Sequence, residues 1–202
     1  KDTEIILIED NCESMGATFE GKKTGTFGLM GSFSTFFSHH ISTIEGGFIT
    51  LDDEELYHIL LSIRAHGWTR NLPDKNKVTN SKNKDSFIES FNFVLPGYNV
   101  RPNEINGLLG SIQLNKLDNF INNRRKNADQ FKNIFKHNEK LITQEEIGSS
   151  SWFGFSLIAN GKDYNSGALL RRKLEDLGFE CRPIVTGNFT KNKVIKFFDY
   201  EI

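Results

Sequence analysis

Strand-length apolar runs alternate with segments of helical period along this sequence, and that alternation marks an α/β chain. Three stretches carry the reading. Ile5-Ile6-Leu7-Ile8 is an unbroken apolar run suited to a strand covered on both faces, as in a parallel sheet. Ser32–Phe37 and Gly47–Leu51 have strand character, and the second leads directly into a capped helix. From Trp152 onward the pattern reads β-α-β.

The first strand runs into Glu9-Asp10-Asn11-Cys12-Glu13-Ser14. This polar segment lies at the strand's C-terminal end, where open α/β sheets place ligand-binding groups. Gly21 to Gly28, rich in Gly, Lys and Thr, reads as a loop. After Gly47–Leu51, Asp52 and Asp53 offer an N-cap, and Glu54 and Glu55 suit the positive end of a helix dipole. Leu56, Ile59, Leu60 and Ile63 recur at helical spacing, and Gly67 can close that helix. Asn71 to Ser90 has few apolar anchors and reads as a long surface excursion.

Pro102-Asn103-Glu104 then opens a helix whose apolar positions include Ile105, Leu108, Leu109, Ile112, Leu117, Phe120 and Ile121. The pattern continues through Phe131, Ile134 and Phe135, with Arg124, Arg125 and Lys126 on the wet side. Unbroken, ~35 residues would span ~50 Å, a length suited to bridging two domains. Trp152 to Ala159 reads as a strand, Asn165-Ser166 as the cap of a helix ended by Gly178, and Cys181 to Val185 as a further strand. The expected division is residues 1–102, a long interdomain helix over 103–140, and the start of a smaller domain over 141–202.

The 202 residues hold 25 basic and 26 acidic side chains, for a net charge of −1. That balance removes the electrostatic case for binding nucleic acid or an anionic membrane. No run approaches the ~18–20 apolar residues of a membrane span. Two cysteines, Cys12 and Cys181, cannot build a disulfide framework and fit a reducing, cytoplasmic compartment. The 18 phenylalanines offer ample core material. The opening at Lys1-Asp2-Thr3-Glu4, without Met, precedes a strand that needs neighbours, so the chain is expected to be an internal piece of a longer protein.

The most unusual segment is Ser38-His39-His40-Ile41-Ser42-Thr43-Ile44-Glu45-Gly46-Gly47. Two readings of the histidines stand side by side. They are hydrogen-bonded turn residues, or one of them carries a proton, since an imidazole titrates near ~6.5. Zinc would need further ligands, and no Cys-x-x-Cys or His-x-x-x-His spacing exists, so no metal is expected. Asp10 is either a capping carboxylate or the partner of a buried cation. Taken singly, Glu13 reads as a solvated residue and Asn99 as a turn residue. Arg70 and Arg101 are surface ion-pair residues or phosphate clamps.

Several segments in order resemble the pyridoxal-phosphate-dependent sugar aminotransferase and dehydratase family. They are Glu9 to Ala17, Thr24-Gly25-Thr26-Phe27-Gly28, the Ser-Phe strand, Glu45-Gly46-Gly47, Arg64 to Arg70, and Gly97-Tyr98-Asn99-Val100-Arg101-Pro102. The resemblance implies the aspartate aminotransferase fold (fold type I). Residues 1–102 would be the C-terminal part of the large cofactor-binding domain, and 141–202 the start of a small α+β domain. Six residues before the Glu of Glu-Gly-Gly, the family's aminotransferases carry the lysine that tethers the cofactor. This sequence has His39 there. The segment looks like the family branch that dehydrates nucleotide sugars at C3.

That resemblance implies a pyridoxal or pyridoxamine 5′-phosphate enzyme acting on a nucleotide-linked 4-keto-6-deoxy sugar, GDP-4-keto-6-deoxy-D-mannose in the first instance. L-glutamate would regenerate the cofactor, and the product would serve colitose and lipopolysaccharide O-antigen biosynthesis. His39 would act as acid and base. Asp10 would face the pyridine nitrogen, Glu13 the ring, and Ser34 the phosphate. Asn99 would reach the phosphate of the neighbouring subunit in a homodimer. Arg70, Arg101 and His66 would meet the sugar or its diphosphate, and His40 would support. The family's Gly-Ser phosphate loop and ring-stacking aromatic would lie upstream of Lys1.

Three rival functions have discriminators. An ordinary sugar aminotransferase needs the missing lysine. The CDP-sugar 3-dehydrase branch needs cysteine ligands for a [2Fe–2S] cluster, and only Cys12 is near, so no iron–sulfur cluster is expected. A non-catalytic sensor or binding protein has no chemical need for Asp10 and His39 together.

Overall fold

The computed structural model describes residues 4–160 and 165–201. Its contacts divide the chain into two units, one of Lys1–Ala128 with Glu146–Phe153 and one of Asp129–Glu145 with Gly154–Ile202.

In the first unit, strands β1 (Ile8–Asp10), β4 (Met30–Ser34) and β5 (Gly47–Thr50) form a sheet in the order β1-β4-β5. β1 runs parallel to β4 with Asp10 opposite Ser32, and β5 runs antiparallel with Gly47 opposite Ser34. Parallel neighbours need a crossover. Here a hairpin of β2 (Thr18–Phe19) and β3 (Lys22–Lys23) supplies it. Glu20 and Gly21 both have positive φ (49° and 77°), the signature of a type I′ turn. The segment expected as a loop from Gly21 therefore begins inside a hairpin.

The opening strand lies three residues later than the apolar run implied. Ile5, Ile6, Leu7 and Ile8 are 80, 67, 55 and 59 % exposed, so the run is not covered on both faces. β1 is an edge strand, and a three-stranded sheet has too little surface to enclose it. The phenylalanines follow suit, with none fully buried among the described residues. They pair instead, as Phe33 with Phe48 at 4.9 Å and Trp68 with Phe91 and Phe93 at 5.5 Å each. The buried apolar side chains are smaller, including Met15, Ile41, Leu72 and Ile121, joined by Trp152.

Helix α1 (Glu54–Ile63) starts as the sequence indicates, with Asp53 accepting from the Leu56 amide at 2.8 Å. The 71–90 excursion holds a hairpin of β6 (Lys75–Asn76) and β7 (Asn80–Ser81), then a short helix α2 (Ser86–Glu89) capped by Asp85. Its polar composition hid local order. Asn76 is buried, and its carboxamide oxygen accepts from the amides of Val78 and Thr79.

The single helix expected over 103–140 is two. α3 (Glu104–Leu114) and α4 (Leu117–Phe135) are separated at Asn115-Lys116, where the Lys116 amide bonds to Gln113 O in a tight three-residue turn. Asn competes with the helix ladder through its own side chain, so it suits that break. The unit boundary falls later, between Ala128 and Asp129.

In the second unit, β8 (Leu141–Thr143) pairs antiparallel with β9 (Leu157–Ala159), followed by α5 (Asn165–Asp176). The strand expected from Trp152 starts only at Leu157, because a left-handed residue (Trp152, φ 50°) interrupts the extended chain. Gly178 (φ 86°) follows α5 as expected, while the Asn165 side chain lies outside the described residues. Cys181 to Val185 is not a strand, since it has no ladder partner and Val185 itself has φ 53°. Two short 3-10 turns, Phe189–Lys191 and Lys193–Phe197, complete the unit.

Candidate functional site

The register of the sheet brings three of the expected residues to one end of it. Asp10 ends β1, and its Oδ1 accepts from the Cys12 amide (3.1 Å) and the Ser32 hydroxyl (3.4 Å). Ser34 lies two residues beyond Ser32, so it shares that face. Its hydroxyl accepts from the Phe36 amide at 3.2 Å and turns the chain out of β4. His39 follows in this turn, its amide bonded to Phe36 O at 3.0 Å. Glu13 is half-buried in the turn after β1. Burial first, then the hydrogen bond to the Asp10 carboxylate and the charges of Asp10 and Glu13, push the nearby Cys12 thiol above its ordinary value.

The loop beyond His39 is tightly held. The Thr35 and Thr43 hydroxyls meet at 2.6 Å, and the Thr35 amide bonds to Gly46 O at 3.0 Å. A side chain at Gly46 would come within 2.9 Å of both hydroxyls, which explains a glycine after Glu45. Asn106 in α3 donates from Nδ2 to Thr43 O (2.6 Å) and Glu45 O (2.9 Å), fixing the helix start to this loop.

His39 and His40 face different surroundings. His39 is half-buried, with the rings of Phe36 and Phe153 at 5.9 and 5.0 Å. His40 is 2 % exposed, and its Nε2 lies 3.2 Å from Ser151 O. Desolvation by burial holds His40 down at about 4, with the charge of Arg124 adding to it, so the ring is neutral at pH 7. A neutral ring facing a carbonyl carries its proton on Nε2. Nδ1 is buried and has no partner.

His66, Asn99, Arg70 and Arg101 belong to a second feature, a crossing of segments 63–70 and 94–101. Tyr98 bonds to Ile63 O (2.7 Å), His66 to Tyr98 O (2.8 Å) and Val100 to Arg64 O (3.0 Å), and Ala65 bridges Asn99. His66, Asn99 and Arg101 are exposed there, and the Arg70 guanidinium stacks 5.1 Å over Trp68. Among the described residues no three His, Cys, Asp or Glu side chains gather as a metal-ligand set, and no helix is long and apolar enough to cross a membrane.

Sequence reasoning missed two anchors. The Glu9 carboxylate accepts from the amides of Gly25 (2.6 Å), Phe27 (2.6 Å) and Gly28 (2.8 Å). Burial alone would raise its pKa, but these three amides together bring it below the ordinary value. A carboxylate between an apolar run and a Gly-rich loop was the available signal. Arg124 and Arg125 are not on a wet face. Arg124 Nη1 donates to Trp152 O (2.9 Å) and Phe153 O (3.0 Å), and Arg125 Nε to Ser150 O (3.0 Å). Nothing in a helical period separates a solvated arginine from one that holds a distant loop.

Residues 1–196 match the DegT/DnrJ/EryC1/StrS aminotransferase family. Over 98 % of its length the chain is 63 % identical to a GDP-4-keto-6-deoxy-D-mannose 3-dehydratase of Escherichia coli O55:H7, of which it covers 52 %. A solved E. coli structure of that dehydratase with bound hydrated PLP superposes with a TM-score of 0.95 at 62 % identity, over 99 % of this chain and 52 % of the other. A structure of GDP-4-keto-6-deoxymannose-3-dehydratase with a trapped PLP-glutamate geminal diamine gives 0.96 at 61 %, over 99 % and 52 %. The chain therefore spans about half the length of the relatives it matches, and its α/β fold is theirs.

Proposed function

Because the chain belongs to the DegT/DnrJ/EryC1/StrS aminotransferase family, we propose that the full-length protein removes the C3 hydroxyl of a nucleotide-linked 4-keto-6-deoxy sugar, GDP-4-keto-6-deoxy-D-mannose, with pyridoxal or pyridoxamine phosphate as cofactor and L-glutamate as amino donor. The observation that carries this reading is the residue at position 39. Where the resemblance expects a tethering lysine, the turn after β4 presents an imidazole. An imidazole has no primary amine for a covalent link, but it can accept and return a proton near neutral pH. The dehydratase identity of relatives more than 60 % identical supports the same substrate class.

The residues at the sheet end suit a pyridine ring and its phosphate. Asp10 supplies an exposed carboxylate at the C-terminal end of a parallel strand, and Ser34 a hydroxyl on the same face. When bound, the cofactor supplies an electron sink that lets the C3 hydroxyl leave. Asp10 keeps a proton on the ring nitrogen, and Glu13 stands beside the ring. Ser34 binds the phosphate, joined by Asn99 from the neighbouring subunit of a homodimer. His39 takes a proton from the C4′ carbon of the cofactor and returns one to the departing C3 oxygen. Arg70, Arg101 and His66 bind the sugar or its diphosphate. The homodimer reading draws support from an exposed apolar stripe, Tyr98, Val100, Ile105, Leu108 and Ile112, which runs from the Asn99 ribbon along α3. In this reading residues 1–102 close the large cofactor-binding domain and 141–202 open the small one.

The test incubates the full-length protein with pyridoxamine phosphate, glutamate and candidate 4-keto sugars, and follows the sugar by mass spectrometry. The expected product lacks one oxygen. An amino sugar instead would make the protein an aminotransferase. His39→Lys should lose dehydration by about 10²–10⁴-fold and gain a borohydride-trappable bond to pyridoxal phosphate. Unchanged turnover in that variant sinks the proposal.

A further inference from the structure

Four consecutive carbonyl oxygens, from Ser150 to Phe153, are all held by side chains. Arg125 Nε donates to the first at 3.0 Å, His40 Nε2 faces the second at 3.2 Å, and Arg124 Nη1 spans the third and fourth at 2.9 and 3.0 Å. Backbone acceptors away from water need partners, and this segment finds them in side chains rather than in a sheet. On its other side the Glu146 carboxylate accepts from the Ser150 amide (3.0 Å) and the Trp152 indole (3.2 Å). Ser151 and Trp152 are buried, and Trp152 holds a left-handed φ of 50° that only an over-determined surrounding sustains. All this fixes where Phe153 lies. Its ring stands 5.0 Å from His39 and 6.0 Å from His40, while the Phe36 ring lies 5.9 Å from His39 at 72° to it.

We propose that Phe153 is a positioning residue for His39, held in place by Arg124, and that the two aromatic rings set the plane from which the imidazole exchanges its proton. The inference rests on the reading of His39 as the acid and base. A ring on a turn can rotate about χ2, which is broad and two-fold for histidine. Phe36 at 72° and Phe153 at 41° to the imidazole plane restrict that rotation. Proton transfer is sensitive to such placement, since a displacement near ~1 Å can cost ~10² in rate. Arg124 acts at one remove, because one nitrogen of its guanidinium holds the carbonyls of the two peptide links that flank the Phe153 Cα.

The experiment uses the full-length protein with its histidines labelled at ¹³Cε1. Phe153→Leu should lower kcat about tenfold with KM for the sugar unchanged. The His39 signal, assigned by its absence from His39→Asn, should lose the part of its ring-current displacement that Phe153 supplies, the Phe36 part remaining. Phe153→Tyr keeps the ring and should restore both, and Arg124→Gln should reproduce the Phe153→Leu signal shift. An unmoved His39 signal with wild-type kcat in Phe153→Leu, while His39→Asn is inactive, overturns this inference and leaves the His39 reading standing. A kcat loss that tracks melting temperature and is not restored by tyrosine overturns it equally. Full activity in His39→Asn removes the reading on which it rests.

Discussion

His40 shows how much a side chain's surroundings decide. It adjoins His39 in sequence, yet it is almost wholly enclosed and neutral, with a pKa lowered to about 4 by burial. The unfolded chain returns this imidazole to ~6.5. Between those values the unfolded state binds a proton that the folded state refuses, so stability falls as pH drops through that window. Melting of the full-length protein at pH 7 and pH 5, above the main carboxylate range, should show a loss of about 1–2 kcal/mol that is absent from His40→Asn. An equal slope in both proteins refutes the assignment. Asp10, Ser34 and His39 were legible as residues that gather at one end of the sheet, because strand ends and turns are local features. Arg124, Arg125 and Phe153 were not, because their partners lie in another part of the chain.

At the scale of elements, the crossing of segments 63–70 and 94–101 depends on two glycines. A Cβ on Gly67 (φ 81°) would come 1.6 Å from Leu95 O, and one on Gly97 would come 2.2 Å from the Gly67 nitrogen. Backbone leaves no flexible atom to yield. Gly97→Ala should therefore cost at least ~3 kcal/mol, read by urea denaturation, and should weaken any function of Asn99 and Arg101. A loss under ~1 kcal/mol would show that the ribbons separate easily. Elements with a strong local signal were readable in advance, notably α1 with its Asp53 cap and β5 after Glu-Gly-Gly. The break at Asn115 was not, because the apolar period runs across it undisturbed. The strand read at Cys181–Val185 failed for the opposite reason, since strand-like composition cannot supply a ladder.

At the scale of the whole molecule, the 202 residues leave much apolar surface uncovered, from Ile5–Ile8 to the stripe of α3. Produced alone, this chain should bind a hydrophobic dye and melt well below the full-length protein without a sharp transition. A cooperative melt at the full-length protein's temperature contradicts that. The linear division at 102 and 140 did not anticipate that residues 146–153 rejoin the first unit, because periodicity reports neighbours along the chain and not returns. Partners such as His40 and Ser151 lie 111 positions apart. Loop closure over that distance precedes any reward from the contact. On a translating ribosome the histidine turn must therefore wait, unclasped, until Phe153 has left the exit tunnel, and a chaperone able to shield it during that interval should raise the yield of folded protein.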